Sequence, residues 1–195
     1  MNVNRQAQRS ASTRAKLLKA ARTLFARKGY ANVGTEEIVR RAGVTRGALY
    51  HQFPGKEELF LAVYEEIEQE LTERLEKLLD QSAGPYEAMR SGIRVFLDAC
   101  RKPEVQRIVM IDGPSVLGWV RWREVAERYG LGLMRAAIVA AIEAGELAPV
   151  AADPLAHLLM GALDEAALLI VREPQSSDEV TATLERLLEG LRADR

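Results

Sequence analysis

A single cysteine, Cys100, is all the thiol chemistry this chain offers. One cysteine cannot close an internal disulfide, so a reducing compartment, the cytoplasm, is expected. Set in an apolar helical pattern with no activating motif beside it, Cys100 reads as a buried structural residue rather than a reactive thiol. No apolar run approaches the roughly 18 to 20 residues of a spanning helix, and the N-terminus lacks a secretory h-region, so no membrane partner is expected. Catalytic signatures are also scarce. No HExxH, paired CxxC or phosphate-cradling glycine loop occurs, which leaves no expectation of a metal, a cofactor or an enzyme. The nearest approach is GPSVL at Gly113–Leu117, a Gly-x-Ser-x-Gly elbow missing its last glycine and its preceding strand. His157 and Asp164 stand two helical turns apart, too far for a direct acid–base pair.

What is present is a strong asymmetry of charge. The formal net charge is only −1. Yet the stretch Met1–Lys56 holds 12 Lys and Arg against two acids, Glu36 and Glu37, and so carries +10 while the remainder carries −11. A polyanion would be drawn to one end of the molecule and repelled by the other. With 195 residues, 48% of them hydrophobic, the chain can bury a sizeable core as a small domain joined to a larger one.

The pattern along the chain is helical throughout, without strand alternation, repeats or low-complexity tracts. Residues 1–12 are polar and aperiodic, carry Arg5 and Arg9, and are expected to be a flexible basic arm. Leu17, Leu18, Ala21, Leu24 and Phe25 then recur at helical spacing until Gly29. Thr35 is placed to cap a second helix with Glu36 and Glu37 in its first turn, and Gly43 to end it. A third, very short helix follows, capped by Thr45 and anchored inward by Leu49. Its outward residues are Thr45, Arg46, Gly47, Tyr50 and His51, a set no core requires. Two short helices around a glycine turn, backed by a longer one, outline a helix-turn-helix. From Lys56 a long helix of roughly 35 to 40 Å follows, and six further helical stretches are punctuated by Pro103, Gly113-Pro114, Gly130, Gly145, Pro149 and Pro174. The expected domains are the arm 1–12, a helix-turn-helix domain 13–56 and a larger helical domain 57–195.

On such a helix Arg46 can make a bidentate contact to guanine, and Thr45 can meet a base edge or thymine methyl. Gly47 lets the backbone approach DNA closely. His51 is either a base contact or a solvent-facing turn residue. Tyr50 and Lys56 suit phosphates, the latter at a helix N-terminus, and Thr35 is a backbone contact, an N-cap or both.

Residues 35–60, TEEIVRRAGVTRGALYHQFPGKEELF, resemble the DNA-binding signature of the TetR family of bacterial transcriptional regulators. Gln52 departs from it, standing where many relatives carry histidine. The resemblance implies an all-α fold, with a three-helix DNA-binding unit followed by a helical ligand-binding and dimerisation domain. It implies phosphate roles for Tyr50 and Lys56, a homodimer on double-stranded DNA, and a four-helix dimer interface from the last two helices. In these, PLAHLLMGALDEAALLIV is apolar nearly all round and has small residues at Ala156, Gly161 and Ala162; a core helix would look the same. A half-site reader binds weakly alone, so a palindromic operator is the expected partner. The family mechanism implies a repressor released by a small apolar or amphipathic effector. Candidate effector contacts are Met89, Ile93, Phe96, Met110, Trp119, Trp122, Tyr129 and Met134, with Asp112 and Asp164 as polar members. These acids can orient a cationic or hydroxylated ligand, pair with Arg107 or Arg121, or face water. A helical enzyme and a nonspecific DNA-coating protein are the alternatives.

Overall fold

The structure, a computed structural model, describes residues 2–79 and 81–193. Among them the regular elements are helices: α1 (Asn2–Lys28), α2 (Thr35–Ala42), α3 (Arg46–Gln52), α4 (Lys56–Leu79), α5 (Pro85–Cys100), α6 (Gly113–Ala126), α7 (Gly132–Glu143), α8 (Ala152–Arg172) and α9 (Ser177–Glu189). Wider π-helical segments, Val105–Asp112 and Glu127–Leu131, lead into α6 and α7. The chain forms two compact units. One comprises the described residues up to Ile67 together with Pro103–Trp119; the other comprises Glu68–Lys102 and the residues from Val120 on. The continuous boundary expected after residue 56 is therefore corrected, because residues 57–67 and 103–119 pack with the helix-turn-helix.

In the first unit, Leu17, Ala21, Leu24 and Phe25 of α1, Ile38 of α2, Leu49 of α3 and Leu59, Phe60 and Val63 of α4 are all almost fully buried. Each such side chain contributes on the order of 1.5–3 kcal/mol of apolar burial. Phe60 joins Phe25 and Tyr30 edge-on at 5.4 and 5.2 Å between ring centres. Two expectations fail here. The basic arm from residue 2 onward is helical and continues α1, because it contains neither Gly nor Pro and extends a helix already nucleated by the packed turns behind it. Met1 lies outside the described residues. Gly113-Pro114 does not break the chain either. Pro114 occupies the first turn of α6, where a missing N–H is tolerated, and the break falls instead at Gly118, whose φ of 70° and ψ of 165° favour glycine.

In the second unit α5, α7, α8 and α9 pack together around Met89, Ile93, Leu97, Ile138, Ala156, Leu163, Ala167 and Leu188. Glu146 closes the N-terminus of α5 by accepting the Tyr86 N–H at 2.6 Å. Burial, and then the hydrogen bond its hydroxyl donates to Glu189 at 2.6 Å, push the Tyr86 phenol up to about 12. Contrary to the sequence expectation, α8 is long and apolar enough by length and composition to cross a membrane. Its own unit buries only 33% of that apolar window, which leaves a face uncovered. Leu158 on α8 and Leu187 on α9 are 71% and 58% exposed. Ala156 turns inward to the core, while Gly161 is exposed.

Candidate nucleic-acid interface and effector region

Seven residues cannot hold a helix in water unaided. Four contacts place α3. Thr45 caps it, its hydroxyl accepting the Ala48 N–H at 3.2 Å. Leu49 anchors its middle with no exposure. At its far end the Gln52 amide donates to the Ser10 hydroxyl at 2.7 Å, and the Arg14 guanidinium lies 4.5 Å from the centre of the Phe53 ring. Gly43, in the left-handed region at φ 65°, turns the chain between α2 and α3.

Leu49 is the only buried residue of α3, so Arg46, Gly47, Tyr50 and His51 are left outward beside Thr45. Arg46 is 65% exposed and pairs with Glu36 at 3.0 Å. Its guanidinium also lies 5.6 Å from the Tyr50 ring centre. The Tyr50 hydroxyl first, and Glu36 after it, raise the pKa of Arg46 further and keep it charged. Thr35 is corrected: the N-cap position of α2 belongs to Gly34, and Thr35 is the first helical residue.

Lys56 is also placed differently from the sequence expectation. Its ammonium donates to the carbonyls of Tyr30 and Val33, each at 3.0 Å, and lies 3.9 Å from the Tyr30 ring centre. Desolvation lowers its pKa. Two of its three N–H donors are thus turned inward to the α1–α2 turn, which leaves it poorly placed as a free phosphate contact. The same turn is gripped from the other side. Asp112, 8% exposed, accepts the Tyr30 N–H at 2.7 Å, and Arg107 Nε approaches the same carboxylate oxygen at 3.4 Å without hydrogen-bond geometry. Arg107 packs over Gly29, where a Cβ would stand 2.1 Å from its Nη2. Arg22 adds an ion pair to Glu104 at 2.9 Å. Asp112 is therefore corrected from effector contact to structural clamp. Nothing local in the sequence announces a partner 82 residues away.

The remaining effector candidates divide. Met89 and Ile93 are buried in the second unit; Phe96, Trp122, Tyr129 and Met134 are half-buried there. Met110 and Trp119 belong to the first unit, and Trp119 is 70% exposed. Asp164 lies within the second unit, where burial pushes its carboxyl up to about 6, an effect opposed by the charge of Arg123. Arg123 Nη2 donates to His157 Nδ1 at 2.7 Å, so His157 meets an arginine rather than Asp164. Burial pushes the Cys100 thiol up to about 12, where it is a poor nucleophile. Ser115 of the GPSVL stretch donates its hydroxyl to the Asp112 carbonyl at 3.0 Å.

Residues 17–63 match the family model for bacterial regulatory proteins of the tetR family, and residues 86–191 match the tetracyclin repressor-like C-terminal domain. The chain is 29% identical to the Transposon Tn10 TetC protein of Escherichia coli over 82% of its length and 81% of that protein's. A crystal structure of a TetR-family transcriptional regulator from Pectobacterium atrosepticum shares 35% identity over 96% of this chain and 97% of that one, with a TM-score of 0.85. The same fold recurs, at 18% identity over 95% of this chain and 100% of that one and a TM-score of 0.78, in a transcriptional regulator from Saccharomonospora viridis solved in complex with choline. Matched along both its DNA-binding and its C-terminal portions, the chain belongs to the TetR family and is a helix-turn-helix DNA-binding transcriptional regulator.

Proposed function

We propose that this regulator is a repressor, that it binds a palindromic operator as a homodimer, and that a small apolar or amphipathic effector releases it. The observation that carries base reading is the outward set of α3: one buried leucine holds the helix while Thr45, Arg46, Gly47, Tyr50 and His51 are free of packing duty. Arg46 is the base reader, exchanging Glu36 for a guanine edge. Thr45 and His51 touch neighbouring bases, Gly47 permits close approach, and Tyr50 and Thr35 contact phosphates. Lys56 acts by setting the α1–α2 turn.

Dimerisation through α8 and α9 is supported by Leu158 and Leu187, apolar side chains exposed on helices that each already bury an inner face. The effector site lies in the second unit, near Met89, Ile93, Phe96, Trp122, Tyr129 and Met134, with Asp164 as its polar member. That a TetR-like fold accommodates choline in the Saccharomonospora viridis regulator supports a small-molecule site. α4 runs through residues of both units, so a displacement of its C-terminal half reaches Lys56 as a change in half-site spacing. Such coupling is commonly worth about 1–3 kcal/mol.

The test is selection of bound duplexes from a random pool, followed by titration of Arg46→Ala on the selected site and on scrambled DNA. The expected result is a palindrome and a loss of about 1–3 kcal/mol on the selected site alone. Equal losses on both duplexes would remove Arg46 from base reading.

A further inference from the structure

Glu36 and Glu37 are the only acids in the basic stretch up to Lys56, and the structure uses them differently. Glu37 is half-buried and committed to the fold: its carboxylate accepts from Lys28 Nζ at 2.6 Å, which ties α2 to the end of α1. Glu36 faces out. Its side chain is 66% exposed, and Nη1 of Arg46 on α3 stands 3.0 Å from its Oε1. The Tyr50 ring flanks the same guanidinium at 5.6 Å. An exposed pair of this kind adds little to the fold. Direct contact therefore puts a carboxylate where α3 presents Arg46. For a protein that binds DNA this is a liability, because phosphates repel the acid and neither group has a proton to share. In the major groove the donors open to a carboxylate are base amino groups, N4 of cytosine and N6 of adenine. Cytosine is the better placed of the two. When Arg46 spans N7 and O6 of a guanine, the paired cytosine presents its N4–H beside that O6. The 3.0 Å between Nη1 and Oε1 matches the about 2.9–3.0 Å of the N4–H to O6 hydrogen bond within the base pair.

We propose that Glu36 is a second specificity-determining residue, which reads the cytosine of the same G·C pair whose guanine Arg46 reads. Along the major-groove edge that pair presents acceptor, acceptor and donor, and the two side chains offer the complement, two donors and an acceptor. In the free protein the carboxylate holds the guanidinium. On the operator Arg46 turns to guanine, and the N4–H of cytosine replaces it as the partner of Glu36. An acid on α2, outside the recognition helix, then chooses a base as well. This role rests on the assignment of Arg46 as a base reader for the place of the guanine.

The experiment measures the affinity of full-length protein for the duplex it selects. In one half-site each cytosine is replaced in turn by pyrimidin-2-one, which lacks the 4-amino group, each guanine by 7-deazaguanine, which lacks N7, and each adenine by purine, which lacks the 6-amino group. The native protein is expected to lose about tenfold at one cytosine and about tenfold at the guanine paired with it. Glu36→Ala should be indifferent, to within about twofold, to the missing amino group while still responding to the missing N7, and Arg46→Ala should do the reverse. Glu36→Gln, nearly isosteric but a weaker, neutral acceptor, should keep a response of about threefold, and it carries the test if the alanine variant fails to fold. Native-like responses of Glu36→Ala at every cytosine, in a protein of unchanged melting, would overturn the proposal, as would a response confined to an adenine. A gain by Glu36→Ala on every duplex, with a steeper slope of log affinity against log salt and no cytosine singled out, would show that the acid merely repels phosphates, and would overturn it too. If Arg46→Ala still responds to every 7-deazaguanine as the native protein does, base reading by Arg46 falls, and a cytosine response that Glu36→Ala abolishes would leave Glu36 as a reader by itself. A protein that selects no duplex would overturn both roles.

Discussion

Replacing Asp112 by alanine removes the acceptor that holds the α1–α2 turn. In the native protein the carboxylate takes the Tyr30 N–H at 2.7 Å and stands 3.4 Å from Arg107 Nε. A hydrogen bond to a charged acceptor is worth about 1.5–3 kcal/mol, and the backbone N–H left behind costs about 1–3 kcal/mol if it stays unsatisfied. These figures overlap rather than add. Arg107 is 39% exposed, so water screens its share to under about 1 kcal/mol. Asp112→Ala should therefore destabilise the protein by about 2–4 kcal/mol. For a chain of 195 residues each kcal/mol moves the melting temperature by about 2–4 °C, giving a drop of about 4–16 °C. Asp112→Asn keeps an acceptor oxygen and should lose only about 1 kcal/mol. The assay is thermal unfolding followed by far-ultraviolet circular dichroism, with operator affinity measured at a temperature where all variants are folded. The turn leads directly into α2, so operator affinity should fall in the same order. An Asp112→Ala protein that melts within 1 °C of the native one would refute the clamp.

Asp164 has a carboxyl raised to about 6 by burial, so the folded state holds its proton more tightly than the unfolded chain. Its contribution is fully favourable below about pH 4 and is lost as pH rises through about 6. Asp164→Asn should match the native protein in stability near pH 4 and exceed it by about 1–3 kcal/mol at pH 8; parallel pH profiles would contradict this. Leu158→Glu with Leu187→Glu should yield folded protomers and weaken operator binding at least tenfold. Analytical ultracentrifugation that still finds a dimer would move the interface away from α8 and α9. Lys56→Ala should destabilise by about 1–3 kcal/mol through the two freed carbonyls while leaving the salt slope unchanged. A slope flatter by about 0.9 would instead return Lys56 to the phosphates.

Residues whose neighbours in space are also neighbours in sequence were legible. Leu17, Ala21 and Leu24 announce α1, Gly43 the turn after α2, and Thr45 and Leu49 the cap and anchor of α3, because each acts within one or two helical turns. The outward set followed once Leu49 was placed. Residues whose partners lie far along the chain were not. Lys56 at a helix start looks like an anion site, yet the Tyr30 and Val33 carbonyls hold it, 26 and 23 residues away. Asp112, at the end of an apolar run, has the Arg107 expected among its possible partners beside it, but gives no sign of Tyr30, 82 residues away. The polarity of the arm suggests looseness, yet a run without Gly or Pro continues a helix already formed. Gly113-Pro114 looked like a stop, but a proline in the first turn is compatible with a helix, and the kink falls at Gly118.

The seven-residue helix α3 is held at its start by the Thr45 cap, at its middle by Leu49 and at its end by Gln52 and Phe53. On the proposed base reading, Arg46, Gly47, Tyr50 and His51 form an interchangeable address on a fixed chassis. Exchanging them as a block should redirect the regulator to another promoter while its melting behaviour stays as it was. New specificity of this kind would need no compensating change in the contacts that hold α3.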